Sequence, residues 1–218
     1  MKKRPPKHPF DLTSGRVCLD FVNTVDKRLS SRPQERLTGF AELVAFGEQA
    51  GALSASEARK LRRDARENAR AASALFQRSV AVREMMFRIL SAVAANHEVS
   101  KVEVEAFNAL VRRSNACSLV TPGEGKAAWQ WLDKSDDADR LIGKIVRSAV
   151  ELLTSDDIQC VKKCDADDCY WFFMDDSRSR NRRWCEMRTC GSRQKARAYY
   201  QRKKADRQHL SGRTHSDG

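Results

Sequence analysis

No stretch of eighteen apolar residues occurs in the 218-residue sequence, so neither a membrane-spanning helix nor a membrane partner is expected. The basic start, MKKRPPKHPFDL, has no apolar segment behind it, which argues against an export signal. The expected compartment is therefore the cytoplasm, where thiols stay reduced and disulfides are an unlikely use for seven cysteines. Metalloprotease and phosphate-loop motifs are absent, as is any recognisable nucleophile–base pair, so the chain is not expected to be an enzyme. Its four histidines, His8, His97, His209 and His215, are poorly placed to join a metal site. Glycine and proline are sparse, at 10 and 5. Their absence between Ser54 and Asn96 removes the usual helix breakers from that stretch.

What the chain does have is charge, unevenly placed. Residues 178–207 hold twelve Lys/Arg against two Asp/Glu, a net of +10 out of +12 for the whole chain. Such concentration points to a polyanionic partner, with a merely solvated basic tail or attraction to an anionic membrane surface as the plainer alternatives. Hydrophobic residues make up 41% and charged residues 32%, a globular composition with a wet surface.

The apolar pattern is mostly helical. Val17, Phe21 and Val25 share one helical face, although Val17, Leu19 and Phe21 also fit a strand. A short helix is expected to end at Gly51, a left-handed stop. Ser54 and Glu57 have capping-box spacing and open a pattern that runs to about Asn96. One helix of about 43 residues would be about 65 Å long, so a break is expected near residues 69–73. VEVEAFNALVRR is another helix. ACSLVT and AAWQWL flank Pro122-Gly123 as a hairpin, and residues 138–153 are helical again. The expected fold is mainly α. A basic disordered arm (1–13) precedes a helical domain with a small β-hairpin (14–154). A small zinc-stabilised α+β module ending in a basic helix (155–207) and a disordered tail (208–218) follow.

The module rests on cysteine spacing. Cys164-x4-Cys169 and Cys185-x4-Cys190 lie fifteen residues apart. Two short loops of this kind can each supply two thiolates to a tetrahedral zinc. Filling all four positions indicates a structural ion, since a catalytic zinc keeps one position open. Cys160 is a weaker candidate ligand, and Cys18 and Cys117 read as small apolar residues. Trp171, Phe172 and Phe173 are expected to be core. Asp175 and Ser177 are expected to orient the loop through backbone hydrogen bonds.

The segment from Cys164 to Lys195 resembles the CGNR zinc finger. The likeness is carried by the two C-x4-C pairs, Trp171-Phe172-Phe173, Asp175-x-Ser177-Arg178, Arg182-Arg183-Trp184-Cys185, Met187 and Cys190-Gly191-Ser192-Arg193. CLDFVNTVD, residues 18–26, resembles the opening of the ABATE domain that accompanies that finger, in proteins described as stress-induced transcription regulators. The resemblance implies one structural zinc and DNA binding. Ser192 stands where the family name has Asn. Because Ser and Asn cap helices about equally well, Ser192 is expected to cap a helix starting at Arg193, after a tight turn at Gly191.

Two basic groups flank the metal site: Arg178, Arg180, Arg182 and Arg183 on the entering loop, and Arg193, Lys195, Arg197, Arg202 and Lys204 on the last helix. They are the expected nucleic-acid contacts, for DNA first and RNA as the alternative. A docking role with an acidic protein is a further alternative. Tyr199 and Tyr200 are expected to pack the helix down, with base stacking as the other reading. Asp20, Asn23 and Thr24, polar within an apolar segment, are candidates for a small-effector pocket; local hydrogen bonding is the plainer account. The helical domain would sense such a ligand or make a homodimer.

Overall fold

The structure, a computed structural model, describes residues 9–132 and 137–213. The expectations for residues 1–8 and 214–218 lie outside the described residues. Among the described residues there are seven α-helices and three two-stranded antiparallel pairs, the mainly α architecture that the sequence implies.

Helix α1, Val17–Val22, lies at the centre with Cys18 through Val22 buried. It packs chiefly on α4 and α6, and also meets strand β6. A short β1–β2 pair, Val25–Asp26 with Gln34–Glu35, follows. Helix α2, Phe40–Gln49, ends before Gly51, whose φ of +69° is the expected left-handed stop. Helix α3, Ala55–Glu67, opens with the full capping box: Ser54 N donates to Glu57 Oε2 at 2.7 Å, and Glu57 N donates to Ser54 Oγ at 3.2 Å. The break in the long pattern comes at Asn68, just before the expected place. Asn68 leaves helical geometry (φ −137°, ψ 77°) and its side chain accepts from Ala71 N at 2.9 Å. It thereby caps α4, Ala69–Ala94.

Helix α5, Lys101–Ala116, leads into the hairpin of β3, Ser118–Pro122, and β4, Ala127–Trp131. In helix α6, Asp137–Leu153, a Cβ on Gly143 would lie 2.3 Å from the Trp131 ring. Only glycine lets the hairpin's tryptophan lie against that helix. Residues 9–13, placed by the sequence within the basic arm, have defined contacts. Phe10 is buried against Phe46, edge to face at 5.4 Å, and its backbone exchanges hydrogen bonds with the Gln49 side chain. Residues 9–13 are thus tied to the core.

After a short 3₁₀ turn, Asp156–Cys160, strand β5, Val161–Lys163, pairs with β6, Phe172–Met174. Successive strand side chains point to opposite faces. Phe172 therefore enters the main core, 5.7 Å from the Phe87 ring, while Phe173 enters a second cluster formed with Cys164, Ala166, Cys169, Cys185 and Cys190. A single π turn, Met187–Gly191, passes directly into helix α7, Ser192–Arg213. The helix continues beyond residue 207, where the sequence places the start of a tail.

Candidate metal centre and basic surface

The four thiols predicted from spacing meet in space. The Sγ atoms of Cys164, Cys169, Cys185 and Cys190 all lie within 4.8 Å of one another, and all four residues are buried. Cys169 to Cys185 and Cys185 to Cys190 are each 3.6 Å apart. A tetrahedron of zinc–sulfur bonds of about 2.3 Å has edges of about 3.8 Å, so the donor set and spacing fit zinc. Cys160 lies outside this cluster.

Local backbone bonds hold the ligands in place. Cys164 N donates to Trp171 O at 2.8 Å and Cys169 N to Ala166 O at 3.0 Å; Asp165 N donates to Arg183 O at 2.8 Å, joining the two cysteine loops. Contacts with Cys164 and Cys169, and then burial, push the Cys185 thiol pKa up; burial leads the same upward shift at Cys190. A divalent cation reverses this balance by drawing off the protons. Arg193 Nη2, 3.4 Å from Cys190 Sγ, adds positive charge beside a four-thiolate centre that is anionic even with zinc. Because thiolates fill all four positions, the ion cross-links the module and leaves no position for a reacting water.

Gly191 and Ser192 serve this centre differently from the sequence reading. Gly191 is not among the positive-φ glycines. What it provides is room, since a Cβ there would lie 2.5 Å from Met187 Sδ and 3.3 Å from the Trp184 ring. Ser192 has helical backbone angles (φ −63°, ψ −40°), and its Oγ donates back to Met187 O at 3.1 Å. It belongs to the π turn and helix, and does not act as an N-cap.

Asp175 behaves as expected. Its fully buried carboxylate accepts from Lys162 Nζ at 2.7 Å, Arg182 N at 2.9 Å, and Ser177. Burial alone would raise its pKa, but these bonds outweigh burial and hold it below the usual carboxylate range.

The nine basic residues singled out in the sequence divide into three groups. Arg178, Arg180, Lys195, Arg202 and Lys204 are exposed and carry no ion pair among the described residues. Arg183, Arg193 and Arg197 pair with the first loop's carboxylates: Arg183 with Asp165 at 2.8 Å, Arg193 with Asp168 at 2.9 Å, and Arg197 with Asp167 and Asp168 at 3.3 and 3.4 Å. Arg182 is spent internally, donating to Trp184 O at 3.0 Å and to Cys185 O, with its guanidinium 4.6 Å from the Phe173 ring centroid. These contacts shape the loop. The acidic loop's role in joining the two basic groups was missed from sequence. The run Asp165-Ala-Asp167-Asp168, opposite so many arginines, was the available signal.

Tyr199 and Tyr200 do not pack the helix down. They are 54% and 69% exposed, with their rings edge to face at 5.6 Å. Apart from the π turn, α7 has no substantial packing partner among the described elements, and Lys195 through Ala205 are all exposed.

The three pocket candidates are satisfied by neighbours. Asp20 accepts from Ser14 N and Ser14 Oγ, and burial raises its pKa against those bonds. Asn23 Nδ2 donates to Phe172 O at 2.8 Å, and its Oδ1 accepts from Phe172 N at 2.9 Å. Thr24 Oγ1 donates to Phe21 O at 2.8 Å and accepts from Arg83 at 3.0 Å. None of them lines the cleft of about 210 Å³ beside the metal centre, whose walls include Asp26, Lys27, Arg36, Trp171, Glu186 and Arg193.

A four-thiolate centre launching a basic helix defines a zinc-finger protein built onto a helical domain. Residues 15–156 match the ABATE family, described as "Putative stress-induced transcription regulator", and residues 161–203 match the CGNR zinc finger. The chain belongs to the ABATE family and carries a CGNR finger with one structural zinc held by Cys164, Cys169, Cys185 and Cys190. No curated protein matches it. No helix among the described residues is long and apolar enough to cross a membrane.

Proposed function

We propose that the chain is a regulator that binds duplex DNA through helix α7 and the Arg178–Arg183 loop, with zinc as the scaffold. The observation that carries this reading is an exposed basic helix fixed at its root by the metal centre. A helix that is polar all round has no core of its own to serve. A 22-residue helix, about 33 Å long, is long enough to lie in a major groove. Arg193, Arg197, Tyr200 and Lys204 recur at helical spacing on one side, so phosphate contacts and base-edge contacts can share that face. The exposure of Tyr199 and Tyr200 favours a second reading, stacking on single-stranded nucleic acid or RNA. An effector acting on both domains would use the cleft between the β1–β2 pair and the metal centre, because Asp20, Asn23 and Thr24 are already occupied.

The test is equilibrium binding of the full-length, zinc-loaded chain to a random-sequence DNA duplex between about 50 and about 200 mM salt. The expected result is a steep, linear fall of log K with log salt, together with loss of binding on chelation. Binding that ignores the chelator would reduce the helix to a plain polycation. Tighter binding to single strands or RNA would favour the second reading. Absence of nucleic-acid binding would favour the alternative of a protein partner.

A further inference from the structure

The carboxylates of the first metal loop sit where the basic surface needs its arginines free. A carboxylate offers a guanidinium the same kind of oxygen pair as a phosphate, so an arginine held by Asp must break that pair to hold DNA. The pairs are not equivalent. Arg193 contacts both Asp168, at 2.9 Å, and the ligand sulfur of Cys190, which makes it part of the metal centre's surroundings. Arg197 lies one turn further out and reaches Asp167 at 3.3 Å and Asp168 at 3.4 Å. Its side chain is 44% exposed, and that of Asp167 is 76% exposed. Asp167 is therefore the most exposed of the three loop carboxylates, and its pair with Arg197 is open to a competing anion.

We propose that Asp167 is an internal competitor for phosphate, holding Arg197 in a closed pair that nucleic acid must displace. The inference rests on the nucleic-acid reading above and adds a regulatory element to the same surface. An exposed ion pair is weak and screened by salt. A regular array of phosphates, engaging Lys195, Arg202 and Lys204 together, can displace the carboxylate where an isolated anion cannot. The loop that carries two zinc ligands thus also sets how strong a polyanion must be before Arg197 joins the contact. Asp165, paired with Arg183 at 2.8 Å, holds the basic loop to the same knuckle.

The test is a double-mutant cycle on the full-length, zinc-loaded protein: wild type, Asp167→Asn, Arg197→Ala and the double variant, titrated with a random-sequence DNA duplex. Asp167 is largely exposed, so Asp167→Asn should retain wild-type zinc content and unfolding. It is expected to tighten binding by about two- to fivefold near 50 mM salt, with the gain shrinking as salt rises. In the Arg197→Ala background the gain should vanish. An equal gain in both backgrounds would overturn the proposal, because Asp167 would then act only through the overall field. Binding by wild type that Asp167→Asn leaves unchanged would overturn the proposal alone. Failure of wild type to bind any nucleic acid would remove the functional reading and this inference with it.

Discussion

The side-chain amide of Asn23 pairs with both backbone groups of Phe172, donating to the carbonyl at 2.8 Å and accepting from the N–H at 2.9 Å. A residue at the end of α1 thereby takes the place of a neighbouring strand beside β6. Trp171 Nε1 donates to Val25 O at 3.2 Å, and Met174 N donates to Ser14 O at 3.0 Å, on either side of this bracket. Because Phe172 also fills the helical core, the finger and the helical domain share their stabilisation.

Asn23→Ala leaves a buried N–H and a buried C=O unpaired, which should cost about 2–4 kcal/mol. For a chain of this size that corresponds to a melting temperature about 5–15 °C lower. Asn23→Asp should fail to rescue, since it keeps the acceptor but loses the donor. Denaturant unfolding checks both variants; wild-type stability in Asn23→Asp would mean that the donor bond to Phe172 O contributes nothing.

The loop arginines should separate into two behaviours. Arg182→Ala removes the donor to Trp184 O and Cys185 O beside a metal ligand. It is expected to weaken zinc affinity by about tenfold, measured by competition with a coloured chelator. Arg178→Ala, at an exposed position, should leave zinc affinity unchanged and weaken only nucleic-acid binding, lowering the salt slope by about one.

Asp175 gives the acid limb of stability a direction. Its folded pKa lies below the ordinary value of 3.8: burial acts upward, but the Lys162, Ser177 and Arg182 bonds prevail. Its contribution is therefore fully present above that ordinary value and is lost as pH falls through the lowered folded value. Asp175→Asn should be less stable than wild type at neutral pH, and the gap should narrow below about pH 4. Zinc loss in acid affects both proteins, so the difference between their unfolding curves is the quantity to measure. A gap that stays constant down to pH 2 would contradict the assignment.

Much of the helical frame was legible because it is local. The Ser54–Glu57 capping box, the stop at Gly51 and the hairpin around Pro122-Gly123 are each decided within a few residues. Failures came where the surrounding structure overrode or did not supply what a local rule assumes. Ser192 looks like a cap until Met187–Gly191 forms a π turn and carries the helix back past it. Tyr199 and Tyr200 look like packing residues, but both are more than half exposed, and apart from the π turn α7 has no substantial packing partner among the described elements. Phe10 looks like part of a polar arm, yet Phe46 and Gln49, far along the chain, bind it to the core.

The sequence by itself determined the metal centre, because two C-x4-C loops fifteen residues apart supply the four thiolates of a tetrahedral site, and it located the positive charge, because charge is composition. Only the tertiary structure decided which charges remain free. Ion pairing depends on distances between side chains that are remote in sequence, and folding sets Asp165, Asp167 and Asp168 against Arg183, Arg193 and Arg197. It likewise decided that Asn23 braces β6, since a buried polar side chain takes whichever backbone partner the packed chain brings within reach.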